Sequence, residues 1–205
     1  MRAAALLAVA LAAAATLGSG GNARAADVTL GYQLHPDGGR QLSGVPIGSS
    51  EFDVDVTGPV GPVLLGSEIQ AFQTGRAGLV SDVLQAHVGR DFASGRVTFT
   101  PTLILGYARA LNDDFGVLGV EGRVAYQQTS ALSTEVSARW RHSFAVNALP
   151  LNAAQLPHTA WHELALQTAQ VLRVSPGLAL GVSVRRDFGT IPDTAVGFFV
   201  RIGLP

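Results

Sequence analysis

Apolar and polar residues alternate along most of the chain. From Leu118 to Tyr126 the even positions are Leu, Val, Gly, Val and Tyr, while the odd ones are Gly119, Glu121, Arg123 and Ala125. From Leu132 to Phe144 the even face carries Leu132, Val136, Ala138, Trp140 and Phe144. The odd face carries Ser133, Glu135, Ser137, Arg139, Arg141 and Ser143. The same period of two runs through Val97 to Leu103 (extended by Leu105 and Tyr107), Leu178 to Arg185 and Val196 to Leu204. Successive side chains of a strand point to opposite faces, so these segments are predicted as strands. Weaker alternation marks Val28 to His35, Glu51 to Thr57, Val63 to Gln73, Leu79 to Phe92 and Thr159 to Leu172. Two of these are ambiguous. Leu79, Val80, Val83, Leu84 and Val88 also fit a helical stripe, as do Trp161, Leu164, Ala165, Thr168 and Leu172. The expectation is therefore about ten strands, or eight if both segments are helical or belong to loops.

The links between these segments fall into two alternating sets. One set is tight and rich in turn residues: Gly58 to Pro62, Ala93 to Gly95, Thr129 to Ala131 and Val174 to Gly177. The other comprises Pro36 to Ser50, Thr74 to Gly78, Ala110 to Phe115, Ala145 to His158 and Gly189 to Asp193, most of them longer. Short turns on one side and longer loops on the other are the asymmetry of a membrane barrel.

Composition sharpens this. Of 205 residues, 47% are hydrophobic and 14% charged, against about 25% charged in ordinary soluble domains. No stretch beyond the N-terminus supplies the roughly 18 uncharged apolar residues of a membrane helix. A chain that crosses a bilayer without such helices must close its sheet, because lipid cannot satisfy an open edge. Residues 1–25 read as a secretory signal: Met1-Arg2, an apolar run from Ala3 to Leu17 interrupted only by Thr16, and Ala23-Arg24-Ala25 as the cleavage motif. Residues 26–205 then form one barrel domain. All 14 cations are arginine; without Arg2 and Arg24, 12 arginines face 15 acids, a net charge of −3. That balance gives no support to a nucleic-acid partner. With no cysteine, disulfides and thiolate metal sites are excluded.

Alternation alone does not say which face is inside. Glycine on the polar face (Gly119, Gly181, Gly197, Gly203), charges of both signs there, and aromatics near strand ends (Tyr107, Tyr126, Trp140, Phe144, Phe188) favour a polar lumen and a lipid-facing apolar wall. A secreted soluble barrel with an apolar ligand inside would turn every strand the other way. In the membrane case Glu121, Arg123, Glu135, Arg139, Arg141, Arg185 and Arg201 form a lumen charge network. One hairpin register sets Glu121 opposite Arg139; the neighbouring one sets Arg123 opposite Glu135. Either pairs opposite charges.

Together these features resemble the small outer-membrane β-barrel superfamily of Gram-negative bacteria, over nearly the whole of residues 26–205 and by architecture rather than motif. The resemblance implies an all-β, closed, antiparallel up-and-down barrel in the bacterial outer membrane. It further implies outer-membrane lipid, lipopolysaccharide and the barrel-assembly machinery as partners, and a structural, adhesive or narrow-pore role. A lipid-modifying enzyme such as a lipid A deacylase is the alternative on the same barrel.

Candidate chemistry is sparse. There is no G-x-S-x-G elbow, P-loop or G-x-G-x-x-G fingerprint after a strand, and no cofactor is expected. His158 and His162 would share a helix face but lie about 13 Å apart on a strand, at roughly 3.3 Å per residue, so no metal site is expected. Asp53 and Asp55 share a strand face and are expected at the lumen or an outer rim. His142 and Ser143 are adjacent, which on a strand puts them on opposite sides and defeats a His/Ser catalytic pair.

Overall fold

The computed structural model describes residues 26–35, 40–42, 45–48, 50–74, 78–110, 113–145, 162–189 and 192–204. The signal-like segment 1–25, His158 and much of the longer links lie outside these residues.

The described chain is all strand and turn. Its strands are β1 (Asp27–Leu34), β2 (Arg40–Leu42), β3 (Val45–Gly48), β4 (Ser50–Val60), β5 (Val63–Thr74), β6 (Gly78–Gly89), β7 (Phe92–Ser94), β8 (Val97–Ala110), β9 (Asp113–Gln127), β10 (Leu132–Ala145), β11 (His162–Ser175), β12 (Leu178–Gly189) and β13 (Asp193–Gly203). Ten of them form a closed antiparallel ring in the order β1, β4, β5, β6, β8, β9, β10, β11, β12, β13. The seam is β1 on β13, in register from Asp27↔Gly203 to Leu34↔Val196. Backbone pairing runs on past it, where Leu204 N–H donates to Ala26 O at 2.7 Å.

Both ambiguous segments are strands, which settles the count at ten rather than eight. In β6 the candidate helical stripe divides between two faces: Val83 is buried while Leu84 and Val88 are exposed. In β11, Glu163, Ala165, Ala169 and Val171 are buried while Leu164, Leu166 and Leu172 are exposed. Every wall position must pair its backbone with both neighbours, and that demand overrides the weak helical period.

Three details depart from the expected boundaries. The first long link contains a small separate hairpin, β2–β3. The turn between β4 and β5 shrinks to Gly61-Pro62, because Gly58 to Val60 remain paired. The segment expected to run to Phe92 breaks at Arg90-Asp91 and resumes as β7 on the same partner, β8. The break lies opposite Thr100 and Pro101; Pro101 has no N–H to donate, Arg90 N–H still reaches Pro101 O at 3.3 Å, and Thr100 Oγ1 donates to Asp91 at 2.5 Å. Gly61 and Gly95, at φ 61° and 60°, supply the left-handed residue in two of the tight turns.

The facing of the wall excludes the soluble barrel. Phe198 is 57% and Val182 60% exposed, while Glu51 is 0% and Arg141 1% exposed. Water would not leave such apolar surface outward and such charges inward; lipid outside does both. Exposed aromatics gather at both heights: Tyr107, Trp140, Phe144 and Phe188 toward the long-loop end, Tyr126, Phe92 and Phe99 toward the short-turn end. One part of the interior is apolar. Phe72, Val83, Ala108, Phe115 and Val117 pack together on the inner faces of β5, β6, β8 and β9, toward the long-loop end.

Candidate functional site

The inner positions of each strand follow from the period of two, and the ring brings them face to face. Toward the short-turn end, Arg201 on β13 reaches Glu135 on β10 with both amino groups, at 2.9 and 3.2 Å. Its guanidinium lies 5.6 Å from the centre of the Phe199 ring. That ring in turn covers Gly181, where a Cβ would collide with it.

One level up, Arg139 Nε donates to Glu121 at 2.5 Å, and its Nη1 reaches Glu68 on β5 at 3.1 Å. Glu121 and Arg139 are direct cross-strand neighbours, so the hairpin takes the first of the two charge-pairing registers. Arg123 then sits opposite Ser137 rather than Glu135 and lines the cavity described below.

Next, Arg141 grips both oxygens of Glu163 on β11, at 2.7 and 2.9 Å, and donates to Gln70 Oε1 on β5 at 2.8 Å. Gln70 Nε2 donates to Glu68 at 2.7 Å, tying this level to the one below.

Toward the long loops, Arg185 pairs with Glu51 at 3.0 Å and with Asp187 at 3.1 Å. His35 lies 2.5 Å from Asp193 and 3.7 Å from Glu51. These five groups come from β4, β12, β13 and the residue after β1, and all are buried. Ionised groups out of bulk water are tolerated only when paired and hydrogen-bonded, and each level meets that condition with charge-assisted bonds.

A cavity of about 180 Å³ remains among these levels, lined by Asp53, Asp55, His87, Arg123 and Glu135 among others. A second, about 170 Å³, lies toward the short turns beside Asp27, Gln127, Arg173 and Arg201. Asp53 and Asp55 thus face the lumen. Thr57 donates to Asp55 Oδ1 at 2.8 Å, and His87 Nε2 lies 2.8 Å from Thr57 Oγ1 and 3.6 Å from Asp55. A nucleophile relay needs the carboxylate on the far imidazole nitrogen. Here the hydroxyl and carboxylate meet the same nitrogen, so the trio is a cross-link between β4 and β6. His142 projects from the outer face and Ser143 is buried within, so the two do not converge.

Of the charges singled out in the sequence, all seven are interior. Glu121 and Arg139 bond each other; Glu135 and Arg201 do the same; Arg141 and Arg185 find acids on other strands. Sequence reasoning missed those other partners: Glu51, Glu68, Gln70, Glu163, Asp187, and the His35–Asp193 pair. Their strands were predicted, and the polar face of Glu68 and Gln70 is visible in Val63 to Gln73. Which residue meets them depends on how the ring closes.

No family model and no curated protein sequence matches the chain. Several solved structures are similar to it. The β domain of the Bordetella autotransporter BrkA aligns with a TM-score of 0.49 at 9% identity, covering 89% of this chain and 99% of that one. The KdgM porin gives 0.46 at 12% identity, covering 87% and 99%. A loop-deletion form of OmpT, an outer membrane protein of Vibrio cholerae, gives 0.43 at 10% identity, covering 75% of this chain and 53% of that one. The chain therefore spans about half the length of the Vibrio protein. By its closed ring, lipid-facing wall and ion-paired interior, the fold of this chain is that of an outer-membrane β-barrel.

Proposed function

We propose that the chain is a structural outer-membrane barrel whose lumen is closed by its own ion pairs, and that it acts at the cell surface through its long loops rather than as a diffusion pore. One observation carries this reading. Arg139 and Arg141 on β10 reach Glu68 and Gln70 on β5, across the lumen, with β6, β8 and β9 between them on the shorter way round the ring. A ten-stranded lumen is narrow enough for such side chains to fill it.

In that setting residues 1–25 direct export and are removed after Ala25. The barrel-assembly machinery inserts the remainder, and the aromatic girdles meet lipid and lipopolysaccharide. Amino-terminal sequencing of the membrane-extracted protein should begin at Ala26, and unheated gel samples should migrate differently from heated ones.

The deciding measurement is conductance in a planar bilayer in molar KCl. The wild-type barrel should give no steady open level, and the Arg139→Ala/Arg141→Ala variant should give one. A stable open channel from the wild type would overturn the closed-lumen reading in favour of a narrow pore.

A further inference from the structure

The outer wall carries one polar feature at the long-loop end of β10 and β11. His142 and His162 are the last pair of that ladder, directly opposite in register. Their Nδ1 atoms are 3.1 Å apart and their rings stack at 4.6 Å between centroids, 23° from parallel. Trp140, next but one on the same outer face, stacks on His142 at 6.2 Å and 9°.

From this geometry we propose that His142 and His162 form a two-imidazole site for a borderline divalent cation, Zn²⁺ or Cu²⁺, on the outer rim of the barrel. Imidazole nitrogens bind such ions at about 2.0–2.1 Å, so two ligands of a tetrahedral centre stand about 3.3 Å apart. The separation of 3.1 Å is within a few tenths of that value, and a small rotation of either ring supplies the difference. The placement comes from paired strands rather than from a loop, so the wall itself holds the donors together. With two protein ligands the remaining positions fall to water, and neutral imidazoles are required, so binding weakens as pH falls. The competing account is a simple hydrogen bond between the two rings, one carrying its proton on Nδ1.

The test uses the untagged full chain, extracted from membranes in detergent and titrated with Cu²⁺ alone and Zn²⁺ alone. Copper should quench the fluorescence of the adjacent Trp140, and its electron paramagnetic resonance spectrum should show two imidazole nitrogens. His142→Gln or His162→Gln should leave one nitrogen in the spectrum and weaken binding by about tenfold or more, at least the loss seen when groups merely supporting a metal's ligands are removed. Both positions face outward, so the variants should keep the heat-dependent gel shift that reports a folded barrel. Absence of binding by the folded wild type, or binding unchanged in both single variants, would overturn the site and leave the hydrogen bond.

Discussion

Arg139 and Arg141 are neighbours on the inner face of β10, yet they depend on their partners differently. Arg139 is shared between two carboxylates, Glu121 and Glu68, whereas Arg141 holds one carboxylate, Glu163, by both oxygens and adds the amide of Gln70. Replacing Glu121 with Gln leaves Arg139 its second acid and should cost about 1.5–3 kcal/mol, the scale of one hydrogen bond to a charged group. Replacing Arg141 with Met removes the two charge-assisted bonds it gives the buried Glu163, together with its bond to Gln70, and should cost about 3–5 kcal/mol. Urea unfolding of the two refolded variants in one detergent should rank them in that order; equal midpoints would show that water reaches Arg141 freely. Arg141→Lys should recover only part of the loss, because the guanidinium reaches Glu163 through Nη2 and Gln70 through Nη1, and one ammonium nitrogen cannot stand in both places.

Among the elements, β12 and β13 show how a barrel wall accommodates bulk. Gly181 faces the lumen directly opposite Phe199, whose ring fills the space a side chain would take. Gly181→Val should therefore destabilise the barrel by about 1–3 kcal/mol through overpacking, and Phe199→Ala in the same molecule should recover part of that. A double-mutant cycle with no coupling would mean that the ring is not held over the glycine. These two strands were legible because local alternation marks both Leu178 to Arg185 and Val196 to Leu204. The β9–β10 hairpin was nearly so: both candidate registers paired opposite charges, and the structure selects Glu121 with Arg139. β6 and β11 were less legible. Their apolar residues are spaced to satisfy either period, and the choice between strand and helix is made by the neighbours' need for backbone partners. The partners across the lumen were not legible at all. Glu68 and Arg139 are 71 positions apart, and nothing local in either strand states that ring closure will set them at one height.

For the whole molecule, the facing of the wall gives a sharp expectation. Val182, 60% exposed and midway along β12, should lie near the middle of the bilayer. Arginine there should cost about 2–4 kcal/mol in lipid, and about 0–1 kcal/mol at Phe188 beside the long-loop rim. Folding titrations in vesicles would measure both; equal costs would mean that the wall has no depth profile. The seam bears on how such a molecule is made. β1 completes its pairing only with β13, so the first strand to leave the ribosome waits for the last. Until then each candidate sheet carries two raw edges, which lipid cannot satisfy. A nascent chain lacking Asp193–Gly203 would have nine wall strands and nowhere to put them. Such a chain has two edges to satisfy in every half-built state, so closure of the ring waits on the eleven residues of β13.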